Sequence, residues 1–336
     1  MNEPGSPSPV PPSSSPSSAL PTAPMSFGQI LDRVFHLMRA NFGLFVGTAL
    51  APAIVCVALY VPMVAAMFWA VKPWHPQAQP SVSPLTMACL GAGIFVTALL
   101  MTVIYALYEP AGSFAALEAD KGTRVTIRAA WAVAWRKAGR YIWLMILRAL
   151  IVVLPIVIFG ALLIGTMALI GAIGHENASP DKWLAALPLI VLLYVGSIVY
   201  AILITLRLAL AVPACVAENA SAWTGIRRSN KLTNGAKGRI FLLALLIYAI
   251  VYAAFLVLEL ALALLAALGL LVGMLMHLAL APWGFIGIGV LGIVFLCGLL
   301  LYMTCIWAAY NTTFAVIYHD QRLRKEGVAP GQVLPA

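Results

Sequence analysis

Charged residues are scarce in this chain. Asp, Glu, Lys and Arg make up 9% of its 336 residues, whereas soluble domains usually contain about 25%. The apolar fraction is 63% and the mean hydropathy is +0.99. A soluble fold of this length could not bury so many apolar side chains. These values exclude a water-soluble enzyme, a soluble nucleic-acid-binding domain and a disordered protein.

The sequence also lacks the common motifs of catalysis and metal binding. Its five cysteines form no CxxC pair and its five histidines no HExxH pattern, so neither a disulfide framework nor a zinc site is indicated. A GxxxxGKS phosphate loop and a GxSxG nucleophile elbow are missing as well. The adjacent pair His319-Asp320 is more typical of a solvated interfacial pair than of a ligand site. We therefore expect a non-enzyme without catalytic residues, a metal site or a cofactor.

Long apolar segments dominate what is present. Each of them exceeds the roughly 20 residues that a helix needs to cross about 30 Å of hydrocarbon. Alternation with a period of two, as in a transmembrane barrel, is absent. The sequence therefore predicts an all-α integral membrane protein with six transmembrane helices. The apolar blocks are 44–71, 85–108, 141–173, 184–217, 239–274 and 284–318.

Positive charge is distributed unevenly around these blocks. Of the 20 Lys and Arg side chains, only Lys72 and Lys182 follow the first, third or fifth block. Sixteen lie in the N-terminal segment, after the second and fourth blocks or in the C-terminal segment, and Arg148 and Arg207 lie inside blocks near that side. Cytoplasmic connections of membrane proteins carry the excess of Lys and Arg. The asymmetry therefore predicts that both termini are cytoplasmic.

Amphipathic helices are predicted within the cytoplasmic segments. Apolar residues recur from Phe27 to Met38 at the spacing of one helical face. Ser26 with Gln29 fits a capping box that would begin this helix. Residues 127–138 repeat the design, with tryptophans on the apolar face and basic residues on the other. Such helices suit the headgroup layer of a membrane.

The chain shows an internal repeat of about 100 residues. We predict three repeats, each an interfacial amphipathic helix followed by a helical hairpin. Ile127-Arg128 precedes Gly139-Arg140 by 12 residues, and Ile226-Arg227 precedes Gly238-Arg239 by the same 12. The second pair of dipeptides lies 99 residues after the first. The predicted division is a disordered Pro/Ser-rich cytoplasmic tail at 1–25, a membrane domain at 26–318 with repeats at about 26–118, 120–219 and 221–318, and a cytoplasmic C-terminal tail at 319–336.

Three segments carry a resemblance to a known family. They are SFGQILDRVFHLMRANFGLF, VPACVAENASAWTGIRRSNKLTNGAKGRIFLL and YNTTFAVIYHDQRLRKEG, in this order. Together they resemble the bacterial membrane-domain family named after glycerophosphoryl diester phosphodiesterase, over about residues 25–327. His319 and Gln321 depart from the terminal signature. The matching residues are Glu218, Arg228-Ser229 and Leu232-Thr233 in the middle segment, and Tyr318, Asp320, Arg322, Arg324, Lys325, Glu326 and Gly327 in the terminal one.

The resemblance implies an uncharacterised multi-span protein of the bacterial cytoplasmic (inner) membrane that is associated with phosphodiesterases. Some members of the family carry a separate catalytic domain fused to such a membrane region. Nothing in this sequence corresponds to that domain. The implied role is therefore that of a membrane or lipid-associated accessory rather than hydrolysis.

Charged side chains inside the apolar blocks are candidates for function, because they are costly in hydrocarbon. Arg148 and Arg207 either extend toward cytoplasmic phosphates or join a basic pocket for a lipid headgroup. Glu259 is either an exposed carboxylate near the outer interface or a site that couples to a proton or cation. The candidate headgroup ligands are Arg124, Arg128, Arg140, Arg148, Arg207 and Arg228.

Two functions follow as hypotheses. The first is a non-catalytic, lipid-associated scaffold or accessory subunit, whose partners are membrane phospholipids and a membrane protein, without nucleic acid. Each Lys or Arg near an anionic membrane surface contributes about 1 kcal/mol to such binding. The alternative is a transporter or export component for a lipid or another hydrophobic substrate, because intramembrane polar residues are too few to suit a hydrophilic one.

Overall fold

A computed structural model describes residues 23–71, 84–173, 180–275 and 282–327. Residues 1–22 of the predicted N-terminal tail and 328–336 of the predicted C-terminal tail lie outside these ranges. The helices are α1 (Phe27–Ala40), α2 (Phe42–Val71), α3 (Pro84–Asp120), α4 (Ile127–Arg136), α5 (Ala138–Ile173), α6 (Pro180–Leu208), α7 (Ala211–Ala217), α8 (Ala222–Thr233), α9 (Lys237–Leu275) and α10 (Pro282–Glu326).

Six helical segments in the described part of the chain are long and apolar enough to cross a membrane. They belong to α2, α3, α5, α6 with α7, α9 and α10. Their outer surface is apolar, with Leu192 68% and Val257 70% exposed, as hydrocarbon surroundings require. The prediction of an all-α integral membrane protein with six transmembrane helices is confirmed.

Two of the long helices extend beyond their apolar blocks. α3 continues past residue 108 to Asp120, and α10 continues past residue 318 to Glu326. Both extensions begin with residues buried in the bundle, with Leu117 2% and Gln321 2% exposed. They form helix because neighbouring helices cover them, although their own composition is more polar than that of the spans.

The fourth apolar block is divided into α6 and α7. Pro213 lacks an N–H, and its ring would clash with the carbonyl of residue 209 in a continuous helix. Ser229 of α8 occupies the break: its hydroxyl donates to the Arg207 carbonyl at 2.6 Å and accepts from the Leu210 N–H at 3.1 Å. Backbone groups freed by the break are therefore satisfied inside the protein, where water is scarce.

The short helices α1, α4 and α8 lie together at one side of the bundle, which we call the basic end. Helix α3 reaches it at Asp120, and helix α10 reaches it at Glu326. The predicted capping box of α1 is present, because the Ser26 and Gln29 side chains each accept the other residue's backbone N–H. Ile30 and Val34 are fully buried in a core shared with α10. Each such burial contributes about 1.5–3 kcal/mol.

In chain order, α1, α4 and α8 directly precede the spans α2, α5 and α9. A short helix therefore precedes a membrane span three times along the chain, as the three predicted repeats require. The equivalence of the three units as a structural repeat stays a prediction, as do the domain boundaries.

Candidate functional site: a buried ion pair, an apolar cavity and the basic end

A buried ion pair joins two of the membrane-spanning helices. α3 carries Glu109 and α5 carries Arg148, and the Arg148 Nη1 donates to both carboxylate oxygens of Glu109, at 2.8 and 2.7 Å. The side chains are 3% and 13% exposed, respectively. Tyr310 of α10 lies beside the pair. Because an unpaired charge at this position would be very unfavourable, each residue requires the other.

The depth of this pair follows from its neighbours on α5. Trp143 is 54% exposed and lies five residues before Arg148, or about 7–8 Å along the helix. Tryptophan side chains concentrate at membrane interfaces. The pair therefore lies deeper in the bundle than the interface that Trp143 marks at the basic end.

An apolar cavity of about 670 Å³ lies between α2, α3, α5 and α10. This volume is in the range of about 300–1,000 Å³ that is common for small-molecule sites. Tyr105 of α3 and Met145 of α5 line it, and they lie about one helical turn from Glu109 and Arg148 on the same helices. The ion pair thus lies within about one helical turn of residues that line this cavity.

Acidic side chains at the basic end are held by several partners each. Asp120 accepts from the Arg33 Nε at 2.5 Å, and its other oxygen lies 2.5 Å from the His319 Nδ1. Asp320 accepts the Met25 N–H at 2.8 Å and the Arg324 Nε at 2.9 Å. These contacts connect the start of α1 to the ends of α3 and α10. The expectation that His319-Asp320 is a solvated pair is wrong, because the two residues are 2% and 0% exposed.

Residues that carry the family resemblance meet in space at the basic end. Arg228 of α8 pairs with Glu218 at 2.8 Å and with Glu326, and the Tyr318 hydroxyl donates to Glu218 at 2.7 Å. Burial lowers the pKa of the Arg228 guanidinium, but hydrogen bonds to the two carboxylates outweigh burial and raise this pKa above its usual range. This cluster connects the middle and terminal signatures and holds α8 against α10.

Helix α4 presents a mixed basic and aromatic face to the surroundings. Arg124 and Arg128 are exposed, and Trp135 is 63% exposed. Arg128 and Trp135 are separated by two helical turns and therefore share a face. The opposite face is covered, since Ala130 and Ala134 are fully buried. Exposed arginines beside an exposed tryptophan are suited to the headgroup layer.

The remaining predicted residues have separate surroundings. Arg140 donates to the Asn219 side chain at 2.8 Å, whereas Arg207 on α6 is exposed. Glu259 on α9 is also exposed and does not line the cavity. Arg148 and Arg228 are thus engaged in two different ion pairs, while Arg124 and Arg128 remain open to the surroundings.

Glu109 is the functional candidate that sequence reasoning missed. It directly follows the apolar block at 85–108, and this position suggested a residue outside the membrane. The buried arginine was the available signal, because an arginine inside a membrane helix calls for a carboxylate of similar depth. Among the described residues, no group of three or more His, Cys, Asp and Glu side chains could hold a metal ion.

The fold and these contacts define an integral membrane protein of six helical spans. Comparison with known proteins found no matching family model, no matching curated protein and no matching solved structure.

Proposed function

We propose that this protein is a non-catalytic, lipid-associated scaffold or accessory subunit of the bacterial cytoplasmic membrane. The observation that carries the proposal is the surface formed by α4 and the segment just before it, where Arg124, Arg128 and Trp135 are all exposed. The arginines attract anionic headgroups, and the indole ring occupies the boundary between headgroups and hydrocarbon. The basic end faces the cytoplasm in this proposal.

Two further observations support this arrangement. Met25 contacts Asp320, so the start of α1 and the end of α10 lie at the same end of the bundle. Four acidic side chains at that end are engaged by other arginines, and Arg124 and Arg128 are among the basic side chains that stay exposed there. Membership of the phosphodiesterase membrane-domain family is part of the proposal and accounts for an accessory role.

Charge removal on α4 tests the lipid-binding proposal. The double variant Arg124→Gln/Arg128→Gln should retain less anionic phospholipid than the wild type, measured by native mass spectrometry of protein extracted with its surrounding lipid. Arg39→Gln/Lys231→Gln is the matched control, because it removes two exposed charges from α1 and α8. Equal retention of anionic phospholipid by the wild type and both variants would overturn headgroup binding at α4. Equal losses of phospholipid in the two variants would show that only net charge matters, and not the position of the arginines.

A transporter or export component for a lipid or another hydrophobic substrate is the second candidate. The observation that favours it is the Glu109–Arg148 pair, whose charges lie inside the bundle beside an apolar cavity. Counterflow of a labelled lipid in proteoliposomes tests this function, and its absence would reject it. Glu259→Gln tests coupling in the same assay: because Glu259 is exposed, a loss of counterflow in this variant would reflect function rather than misfolding.

A further inference from the structure

The cavity between α2, α3, α5 and α10 has the dimensions of one lipid chain. It extends along α10 from Leu296 to Trp307, a separation of eleven residues or about 16 Å. Half of a hydrocarbon core of about 30 Å is about 15 Å, the depth that one acyl chain fills in its leaflet. The cavity therefore matches a single extended aliphatic chain in length.

The depth of the cavity along α2 indicates which leaflet of the membrane supplies the chain. Along α2 it extends from Pro52 to Val61. Pro52 lies ten residues, about 15 Å, beyond Phe42 at the basic end, and Tyr60 lies about 27 Å beyond it. Along α2 the cavity thus begins near the middle of the hydrocarbon and ends near the interface opposite the basic end.

An opening exists at that far end. Tyr60 is 49% exposed and Val61 51% exposed, and both line the cavity. At the other end the rings of Tyr105 and Trp307 are in an edge contact at 6.4 Å between centroids. Met303 is 36% exposed and also lines the cavity, so the cavity is open along its side as well. A chain that enters beside Tyr60 would end against these rings, within about one helical turn of the Glu109–Arg148 pair.

We infer that this cavity binds one aliphatic chain of an amphiphile from the leaflet opposite the basic end, with its polar group beside Tyr60 and its methyl end against Tyr105 and Trp307. Its lining supplies apolar contacts and few polar groups, which suits hydrocarbon. The chain belongs either to a bilayer phospholipid or to a free fatty acid. This site does not depend on headgroup binding at α4.

Photolabelling tests the inference and separates the two sources. The purified full-length protein is reconstituted with a fatty acid that carries a diazirine near its methyl end, or with a phospholipid that carries the same acyl chain. Peptide mass spectrometry then locates the labelled residues. We expect Tyr105, Met145 or Trp307 to be labelled above lipid-facing Leu192. Labelling by only one probe identifies the source of the chain, and labelling of the outer surface alone by both probes would overturn the site.

A pair of substitutions on α2 sharpens the test. Val57 lines the cavity, whereas Val55 is 39% exposed and does not line it. Val57→Trp should reduce labelling of the cavity to the level at Leu192, and Val55→Trp should leave it unchanged. Cavity labelling that persists in Val57→Trp would contradict the inference. The wild-type labelling pattern decides the question if Val57→Trp does not fold.

Discussion

The Arg148 guanidinium donates to both carboxylate oxygens of Glu109, at 2.8 and 2.7 Å, across 39 residues of sequence. Two opposite charges inside a membrane bundle neutralise each other's cost of burial only while both are present. Their contact therefore decides which variants of this protein remain folded.

Replacing one member of this pair is expected to destabilise the protein. Glu109→Leu leaves a buried arginine unpaired, and the expected loss is about 3–5 kcal/mol in the free energy of unfolding. The double variant Glu109→Leu/Arg148→Met removes both charges and should recover most of that loss. The free energies of unfolding of the wild type, the single variant and the double variant are measured by unfolding in mixed micelles with increasing SDS. A single variant as stable as the wild type would show that the pair does not stabilise the fold.

The double variant Glu109→Leu/Arg148→Met also distinguishes a structural role of the ion pair from a role in transport. If it folds like the wild type and still supports lipid counterflow, the pair is structural. If it folds but counterflow is lost, the pair takes part in substrate movement.

Asp320 is expected to hold the start of α1 in place. Its carboxylate accepts the Met25 N–H at 2.8 Å, and Arg324 and Arg239 contact it at 2.9 and 3.3 Å. Asp320→Asn removes the negative charge between two arginines, so residues near Met25 should be cleaved faster in limited proteolysis. Asp32→Asn is the control, since Asp32 is exposed on α1. The same cleavage rate in both variants would contradict this role.

Close packing of α3 against α10 requires glycine at position 112. A Cβ at Gly112 would lie 2.6 Å from the Asn311 Nδ2, which is too close for any side chain without movement. Gly112→Ala should therefore lower the free energy of unfolding by roughly 1–3 kcal/mol. Gly160→Ala in α5 meets open space and should be neutral or stabilising. Equal stabilities of the two variants would show that the α3–α10 contact is not tight.

An accessory subunit should be found with its partner. Native mass spectrometry of the protein extracted with its lipid, without detergent exchange, should show a stoichiometric protein companion in addition to retained phospholipid. Peptide sequencing of that companion would test the association with phosphodiesterases directly. A chain that carries only one phospholipid class would contradict the accessory role and favour lipid handling or transport.

Sequence reasoning predicted the number and class of the spans and a helix from Phe27 to Met38 with its capping box, which the structure extends to Ala40. It did not predict that α3 continues to Asp120, because residues 109–120 include three acidic side chains and resemble a loop in composition. The acidic residues are tolerated there because Arg148, Arg33 and Lys121 engage them. The fourth apolar block is one span, as predicted, but hydropathy does not register the break inside it between Leu208 and Ala211.

The sequence by itself determined that this is a six-span helical protein with its positive charge concentrated on one side. Segment length, apolar content and charge are local properties, and the hydrocarbon thickness acts on each segment separately. Only the tertiary structure decided that Arg148 meets Glu109, that Asp320 holds Met25, and that a cavity lies beside the ion pair. Those contacts depend on how the helices are rotated and packed against each other, and no single segment specifies that arrangement.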